Sequence, residues 1–270
     1  MQKDKYALLD TDFISKMYII RKDAENHLID RIMELPRYRF YCHSHIQTEL
    51  AQSNVLNCME WLKDKIVMGQ IKCYSDKDIL SELESVYGTS SLLLYTNFLQ
   101  AACEAYRKGY FEDNFKEVQK INYKDISKND FLEILNKDCD SIGAGQNLGE
   151  IKTYVLLQAL SMMQGEQIYM FCSDDRNARS GIVSIGGVRC ISVLSAFVRL
   201  RKECDFEFED AKGYIQSWLE FCKKKGQITF KIQENSREKR LCKVPCGQVM
   251  REIYEDKLEE TYMGNLKYKQ

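Results

Sequence analysis

Only two prolines, Pro36 and Pro245, occur in 270 residues. No Gly- or Pro-rich tract divides the chain either, so composition offers no linker between independent domains. Histidine is nearly as scarce. His27, His43 and His45 all lie before position 46 and no nucleophile elbow accompanies them, which argues against a serine triad. A Walker-type phosphate loop is lacking. No apolar run is long enough to span a bilayer, and Tyr6–Leu9 is too short to serve as a secretory apolar region. Neither sign of charge is in excess: 39 basic residues face 40 acidic ones, so any contact with nucleic acid must come from local patches. The eleven cysteines lack close paired spacing, and Cys103, Cys172 and Cys190 sit inside apolar runs. They read as reduced core thiols of a cytoplasmic protein. His43-x-His45 and the Cys242/Cys246 pair want further ligands before either makes a zinc site.

What is present is a core. Apolar residues make up 44% and charged residues 29%, outside the range of disordered chains. Short apolar runs predict strands at Tyr6–Leu9, Arg39–Cys42, Ile71–Tyr74, Ile168–Cys172 and Val188–Ile191. Between them, helices are expected from near Phe13 with Asp12 as cap, over Asp23–Leu35, from a Ser44/Gln47 capping pattern carrying Glu49, and over Asn54–Val67. Ser75, Asn147 and Ser192 are expected to cap later helices, the second being Leu148–Met163 and the third ending about Arg201. A short helix over 174–179 is followed by a turn region from Gly181 to Gly187. Strands and helices alternate at both ends of a helical middle, which predicts a three-layer α/β/α fold with a central parallel sheet. Residues 1–204 form the main domain in this reading, with an all-helical insertion at about 76–144. A C-terminal extension, 205–270, consists of a helix over Glu209–Lys224, a hairpin of Gln227–Gln233 with Lys239–Val244, and a last helix over Gln248–Thr261.

Six acids fall where such a fold places ligands, beyond the carboxyl ends of its strands. Asp10 and Asp12 follow the first strand, Asp174 and Asp175 follow the fourth, and Glu49 and Glu150 open helices. Each alone reads as a helix cap or a dipole partner. Gathered together they would repel one another unless a cation intervened, and hard oxygen ligands suit Mg²⁺ or Mn²⁺.

The motif Leu8-Leu9-Asp10-Thr11-Asp12-Phe13-Ile14 resembles the opening of PIN-domain nucleases. Ser44-His45-Ile46-Gln47-Thr48-Glu49-Leu50 resembles that family's second acidic helix, Leu148-Gly149-Glu150-Ile151 its third, and Phe171-Cys172-Ser173-Asp174-Asp175-Arg176 its final motif. The resemblance covers residues 6–60 and 145–200. It implies a PIN-like fold and Mg²⁺- or Mn²⁺-dependent endoribonuclease activity. In that activity Asp10, Glu150 and Asp175 bind the metal, Asp12 and Asp174 ligate it or support it, and Glu49 acts through water or accepts a proton. Ser173, Arg176 and Arg179 would meet substrate RNA. Lys16, Arg21, Lys22, Arg37, Arg39 and the basic turn Arg237-Glu238-Lys239-Arg240 are further candidates for the nucleic-acid backbone. Partners implied are RNA and, as in toxin–antitoxin pairs, an inhibitory protein or a second copy. Two other readings stay open: a haloacid-dehalogenase-like phosphatase with Asp10 as nucleophile, and a PIN-like binding module with a tamed site.

Overall fold

Tyr6, Ala7, Leu8 and Leu9 are all buried, yet they feed two different cores. Ala7 and Leu9 pack with Phe13, Ile14, Ile46 and Phe197, whereas Tyr6 and Leu8 pack with Tyr154, Leu156 and Phe171. An unbroken apolar run is the signature of a parallel strand covered on both faces. The computed structural model describes residues 5–142, 147–163, 168–223, 226–233 and 239–269.

In chain order, β1 (Lys5–Leu9) leads through α1 (Thr11–Ile19) and α2 (Leu28–Met33) to β2 (Tyr38–His43). Then α3 (His45–Gln52) and α4 (Cys58–Val67) precede β3 (Ile71–Tyr74). Five helices follow: α5 (Asp76–Tyr87), α6 (Ser91–Tyr106), α7 (Tyr110–Asn114), α8 (Lys128–Ile142) and α9 (Leu148–Met163). β4 (Ile168–Cys172), α10 (Arg176–Gly186), β5 (Arg189–Ile191) and α11 (Val193–Cys204) close the expected main domain. The tail holds α12 (Phe208–Phe221), the hairpin β6 (Gln227–Gln233) with β7 (Lys239–Pro245), α13 (Cys246–Tyr254), and three short strands: β8 (Leu258–Glu260), β9 (Met263–Gly264) and β10 (Leu266–Tyr268).

The central sheet has the order β3-β2-β1-β4-β5-β9, and every pairing in it is parallel. One face is covered by buried residues of α1–α4 and α11–α13, the other by those of α5–α10. The fold is thus three-layered α/β/α, as the alternation predicts. The helical insertion is no ornament. Ile79, Leu83, Tyr95, Leu99, Phe131 and Leu135 share one core with Leu8 and Phe171, so α5–α8 form most of a layer. No helix among the described residues is long and apolar enough to cross a membrane.

Local chemistry corrects several expected boundaries. The helix over Asp23–Leu35 shrinks to α2 because the Asp23 carboxylate accepts from the amides of Glu25 and Asn26, both at 3.0 Å, a turn that competes with helix. Asp12 does not cap α1; Asp10 holds the N-cap position, without a side-chain cap bond, and Asp12 lies in the first turn. Ser44 precedes α3 but makes no capping bond, and Gln47 instead donates to Cys73 Sγ at 3.4 Å. Ser75 and Ser192 do cap α5 and α11, each with a reciprocal box. The turn expected at Gly181–Gly187 is helix up to Gly186. Gly181 is needed there for packing, since a Cβ would overlap the Tyr154 hydroxyl. The last helix stops at Tyr254 rather than Thr261, because Asp256 turns left-handed at φ 60° and Arg201 Nη1 caps the carbonyl of Ile253 at 2.9 Å. The residues released become β8–β10, and β9 joins the main sheet beside β5. Gly264, at φ +70°, lies against the Cys190 and Ile191 backbone, where a side chain would not fit.

Candidate functional site

The strand order places a switch point at β1 and β4. From β1 the chain winds outward through β2 to β3, then returns past β1 to β4 and β5. After β1 it enters α1, in one layer; after β4 it enters α10, in the other. The crevice left at such a divergence is the usual ligand site of open parallel sheets. Asp10 stands on one lip and Ser173, Asp174 and Asp175 on the other. The Asp10 amide donates to the Cys172 carbonyl at 3.0 Å, so the two lips are joined by backbone.

Side chains extend that join. Ser173, fully buried, donates its hydroxyl to Asp10 Oδ2 at 2.8 Å and accepts from the Asp175 amide at 3.1 Å. Asp175 caps α10, its Oδ1 accepting from the amides of Asn177 at 2.6 Å and Ala178 at 2.8 Å. Each carboxylate is therefore oriented through one oxygen. No hydrogen-bond donor among the described residues meets Asp10 Oδ1 or Asp175 Oδ2. Glu49 comes in from α3, where Thr11 Oγ1 donates to its Oε2. It lies against the start of α9 so closely that a Cβ on Gly149 would overlap its carboxylate. Glu150 follows directly on that helix, half-buried.

Burial of Asp10 pushes its carboxyl up to about 8. The Ser173 hydrogen bond opposes this, while the charges of Glu150, Glu49 and Asp12 add to it. Glu150 is raised as well, by burial first, and Glu49, Asp175 and Asp12 contribute. Burial also raises Glu49, against its bond from Thr11. Acids from four separate segments thus lie within electrostatic reach of one another. Their side chains are not yet closed around one point: among the described residues, no three His, Cys, Asp or Glu form a ready-made ion cage.

Two of the acids expected as ligands are otherwise engaged. Lys16 Nζ donates to Asp12 Oδ2 at 2.7 Å and to Asp174 Oδ2 at 2.8 Å, and Asp174 Oδ1 also accepts from the Val193 amide at 3.2 Å. Arg179 is corrected too. It is 5% exposed and its Nη1 donates to the Ser173 carbonyl at 2.8 Å, with Nη2 3.3 Å from Asn265 Oδ1. It braces the Ser173 turn from beneath and is not placed to meet substrate. Arg176 is exposed at the start of α10. Arg37 and Arg39 lie at the start of β2, and Arg21 and Lys22 beyond the end of α1, all at the opposite edge of the sheet from Asp10. Of the basic turn, residues 234–238 lie outside the described residues.

The sequence reading missed a second, buried network. Lys152, 2% exposed, donates to Asp76 Oδ2 at 2.7 Å. Asp76 Oδ1 takes the Tyr95 hydroxyl and lies 3.2 Å from His43 Nε2. Burial alone would raise Asp76, but Lys152 and His43 hold it well below the usual carboxylate range. The signal was a lysine inside an otherwise apolar helix. His43 is thereby committed to Asp76, and its Nδ1 accepts from the His45 amide at 3.1 Å, which leaves the His43/His45 zinc idea without support. Burial, His43 and Lys152 lower His45 to about 4, so it is neutral at pH 7, with Nε2 3.9 Å from Glu49 Oε1. The ten described cysteines are all free thiols, buried or half-buried.

No protein-family model, curated protein or solved structure matches this chain.

Proposed function

We propose that the protein is a divalent-metal-dependent nuclease acting on RNA, with a PIN-like arrangement of acids at the switch point of its sheet. The observation that carries this reading is the crowding around Asp10. A carboxyl pushed up to about 8 by burial, with Glu150 and Glu49 among its causes, costs stability when charged and gains most from a cation. The donor set fits Mg²⁺ or Mn²⁺: it is all oxygen, and among the described residues no donor meets the second carboxylate oxygen of Asp10 or of Asp175. Asp10, Glu150 and Asp175 would hold the ion, with Glu49 beside them.

Once bound, such an ion lowers the pKa of water and neutralises charge on phosphate oxygens. The chain's own residues supply position. Ser173 fixes the Asp10 carboxylate, and α10 fixes Asp175 through two amides. Thr11 holds Glu49, which in this reading takes a proton from an attacking water. Lys16 compensates Asp12 and Asp174, reducing the negative potential that would repel a phosphodiester. A phosphatase using Asp10 and Asp12 as nucleophile and acid receives no such support, since Asp12 is paired with Lys16 while Glu150 and Glu49 face Asp10.

Incubation of the purified protein with end-labelled single-stranded RNA and Mn²⁺ tests the reading. Internal cleavage abolished by chelator and by Asp10→Asn is expected. Intact RNA at enzyme excess, or cleavage insensitive to chelator, refutes it.

A further inference from the structure

Cys42 and Cys73 stand directly opposite each other on neighbouring parallel strands, since β2 pairs with β3 in the register Phe40↔Ile71, Tyr41↔Lys72, Cys42↔Cys73. Paired strands lie about 4.8 Å apart, inside the roughly 4.4–6.8 Å that separates the Cα atoms of a disulfide. Both side chains lie on one face of the sheet: Cys42 belongs to the core beneath α1–α4, and Cys73 packs against that same core. Cys172 and Cys190, also on paired strands, differ. There Cys172 is opposite Ile191 and Cys190 opposite Phe171, and the offset of one residue sends the two thiols to opposite faces and into different cores.

The two opposed thiols are chemically unlike. Cys42 is fully buried, whereas Cys73 is half-buried. Cys73 Sγ accepts from Gln47 Nε2 at 3.4 Å and from the Cys42 thiol. The bond from Cys42, with that from Gln47, lowers the Cys73 thiol against the effect of its own burial. Donating that bond, together with burial, raises Cys42 well above its ordinary value. Because the thiolate is the reacting form, Cys73 is the thiol that reacts first, with Cys42 beside it. A thiol of lowered pKa that solvent can reach, next to a second cysteine able to resolve it, is the arrangement of redox-sensitive pairs. β3 is also the edge of the sheet and, among the described residues, pairs with β2 alone. It can make the short approach that an S–S bond requires without disturbing a strand on its far side.

We propose that Cys42 and Cys73 form an oxidation site at which hydrogen peroxide converts the two thiols to a cross-strand disulfide. The Cys73 thiolate attacks the peroxide. An S–O bond forms, the O–O bond breaks, and the departing hydroxide takes up the proton that the thiol released, giving water and a sulfenic acid. Cys42 Sγ then attacks Cys73 Sγ. The S–S bond forms, the S–O bond breaks, and the Cys42 proton leaves with hydroxide as a second water. One peroxide is reduced to two waters and two thiols are oxidised to one disulfide. The site does not depend on the nuclease reading.

The reduced full-length protein, in EDTA, is treated with equimolar hydrogen peroxide and denatured in iodoacetamide to trap the remaining thiols. It is then digested without reductant and mapped by mass spectrometry. The expected result is the loss of Cys42 and Cys73 together from the alkylated pool and the appearance of one dominant peptide pair joined through them, separated again by dithiothreitol. The same treatment in urea, where β2 and β3 no longer pair, should abolish that dominance. Cys42→Ser should halt at the Cys73 sulfenic acid, captured by dimedone, and Cys73→Ser should leave Cys42 alkylated. The wild-type map decides the matter even if neither variant folds. A map without the Cys42–Cys73 link, a link no more abundant than other cysteine pairs, or the same preference in urea overturns the proposal. So does oxidation of Cys73 that leaves Cys42 as a free thiol.

Discussion

Lys16 Nζ stands 2.8 Å from Asp174 Oδ2 and 2.7 Å from Asp12 Oδ2, tying the first helix to the loop after the fourth strand. This contact sorts the six acids into two sets. Asp12 and Asp174 are compensated by a protein cation; among the described residues no lysine or arginine pairs with Asp10, Glu49, Glu150 or Asp175. Replacing Lys16 by Met removes the compensation. Because the pair is partly exposed, the loss of metal-free stability is expected to be only about 0.5–1 kcal/mol. Added negative charge should make Mn²⁺ bind severalfold more tightly in calorimetric titration. Unchanged affinity would mean that Asp12 and Asp174 are electrically remote from the ion.

The raised Asp10 carboxyl makes stability depend on pH in a direction opposite to most acids. Unfolded, it loses its proton near the ordinary value of 3.8; folded, near 8. Below the lower value it is protonated in both states and contributes nothing. Between the two the unfolded chain has released a proton that the native state retains, so rising pH favours unfolding, and above about 8 the cost is constant. The metal-free wild type should lose stability relative to Asp10→Asn from about pH 4 to about pH 8. Since the ion requires the charged carboxylate, Mn²⁺ should stabilise the wild type increasingly over the same interval. Melting curves of both proteins, with and without Mn²⁺, check this. Parallel wild-type and variant curves across that interval would contradict it.

Gly149 separates function from folding. Gly149 is the second residue of α9, so alanine there adds less than the roughly 1 kcal/mol it gives in a helix interior. Here the new methyl overlaps the Glu49 carboxylate and must push it away from Thr11. Gly149→Ala is expected to melt within a few degrees of the wild type yet to cleave at least tenfold more slowly. Full activity in this variant would remove Glu49 from the reaction.

The Asp76–Lys152 pair supports α9 from below. Side-chain exposures of 15% and 3% make each single substitution costly, since one leaves a buried charge alone. Asp76→Asn and Lys152→Met are each expected to cost about 3–5 kcal/mol, and the double variant much less than their sum. Additive losses in denaturant titrations would show that the two residues do not act as a pair.

Much of this architecture is legible in the chain. Tyr6–Leu9 and Ile168–Cys172 declare strands buried on both faces, and the four acidic motifs mark the segments that meet at the switch point. What is not legible depends on partners distant in sequence. Nothing near Arg179 says that it will turn inward to the Ser173 carbonyl. Asp12 and Lys16 are one helical turn apart, but the presence of Asp174 beside them follows only from the pairing of β1 with β4. The strand at Met263–Gly264 is too short to carry a periodicity, and it forms because the backbone of β5 offers it an edge.

The central claim is that Asp10, Glu150 and Asp175 share one divalent ion. Crystals soaked in Mn²⁺ and measured at the manganese absorption edge test it most directly. The account predicts an anomalous peak about 2.2 Å from oxygens of all three carboxylates, as hard-cation coordination requires, and absent from Asp10→Asn crystals. No peak at saturating Mn²⁺, or one that touches none of these carboxylates, would contradict it.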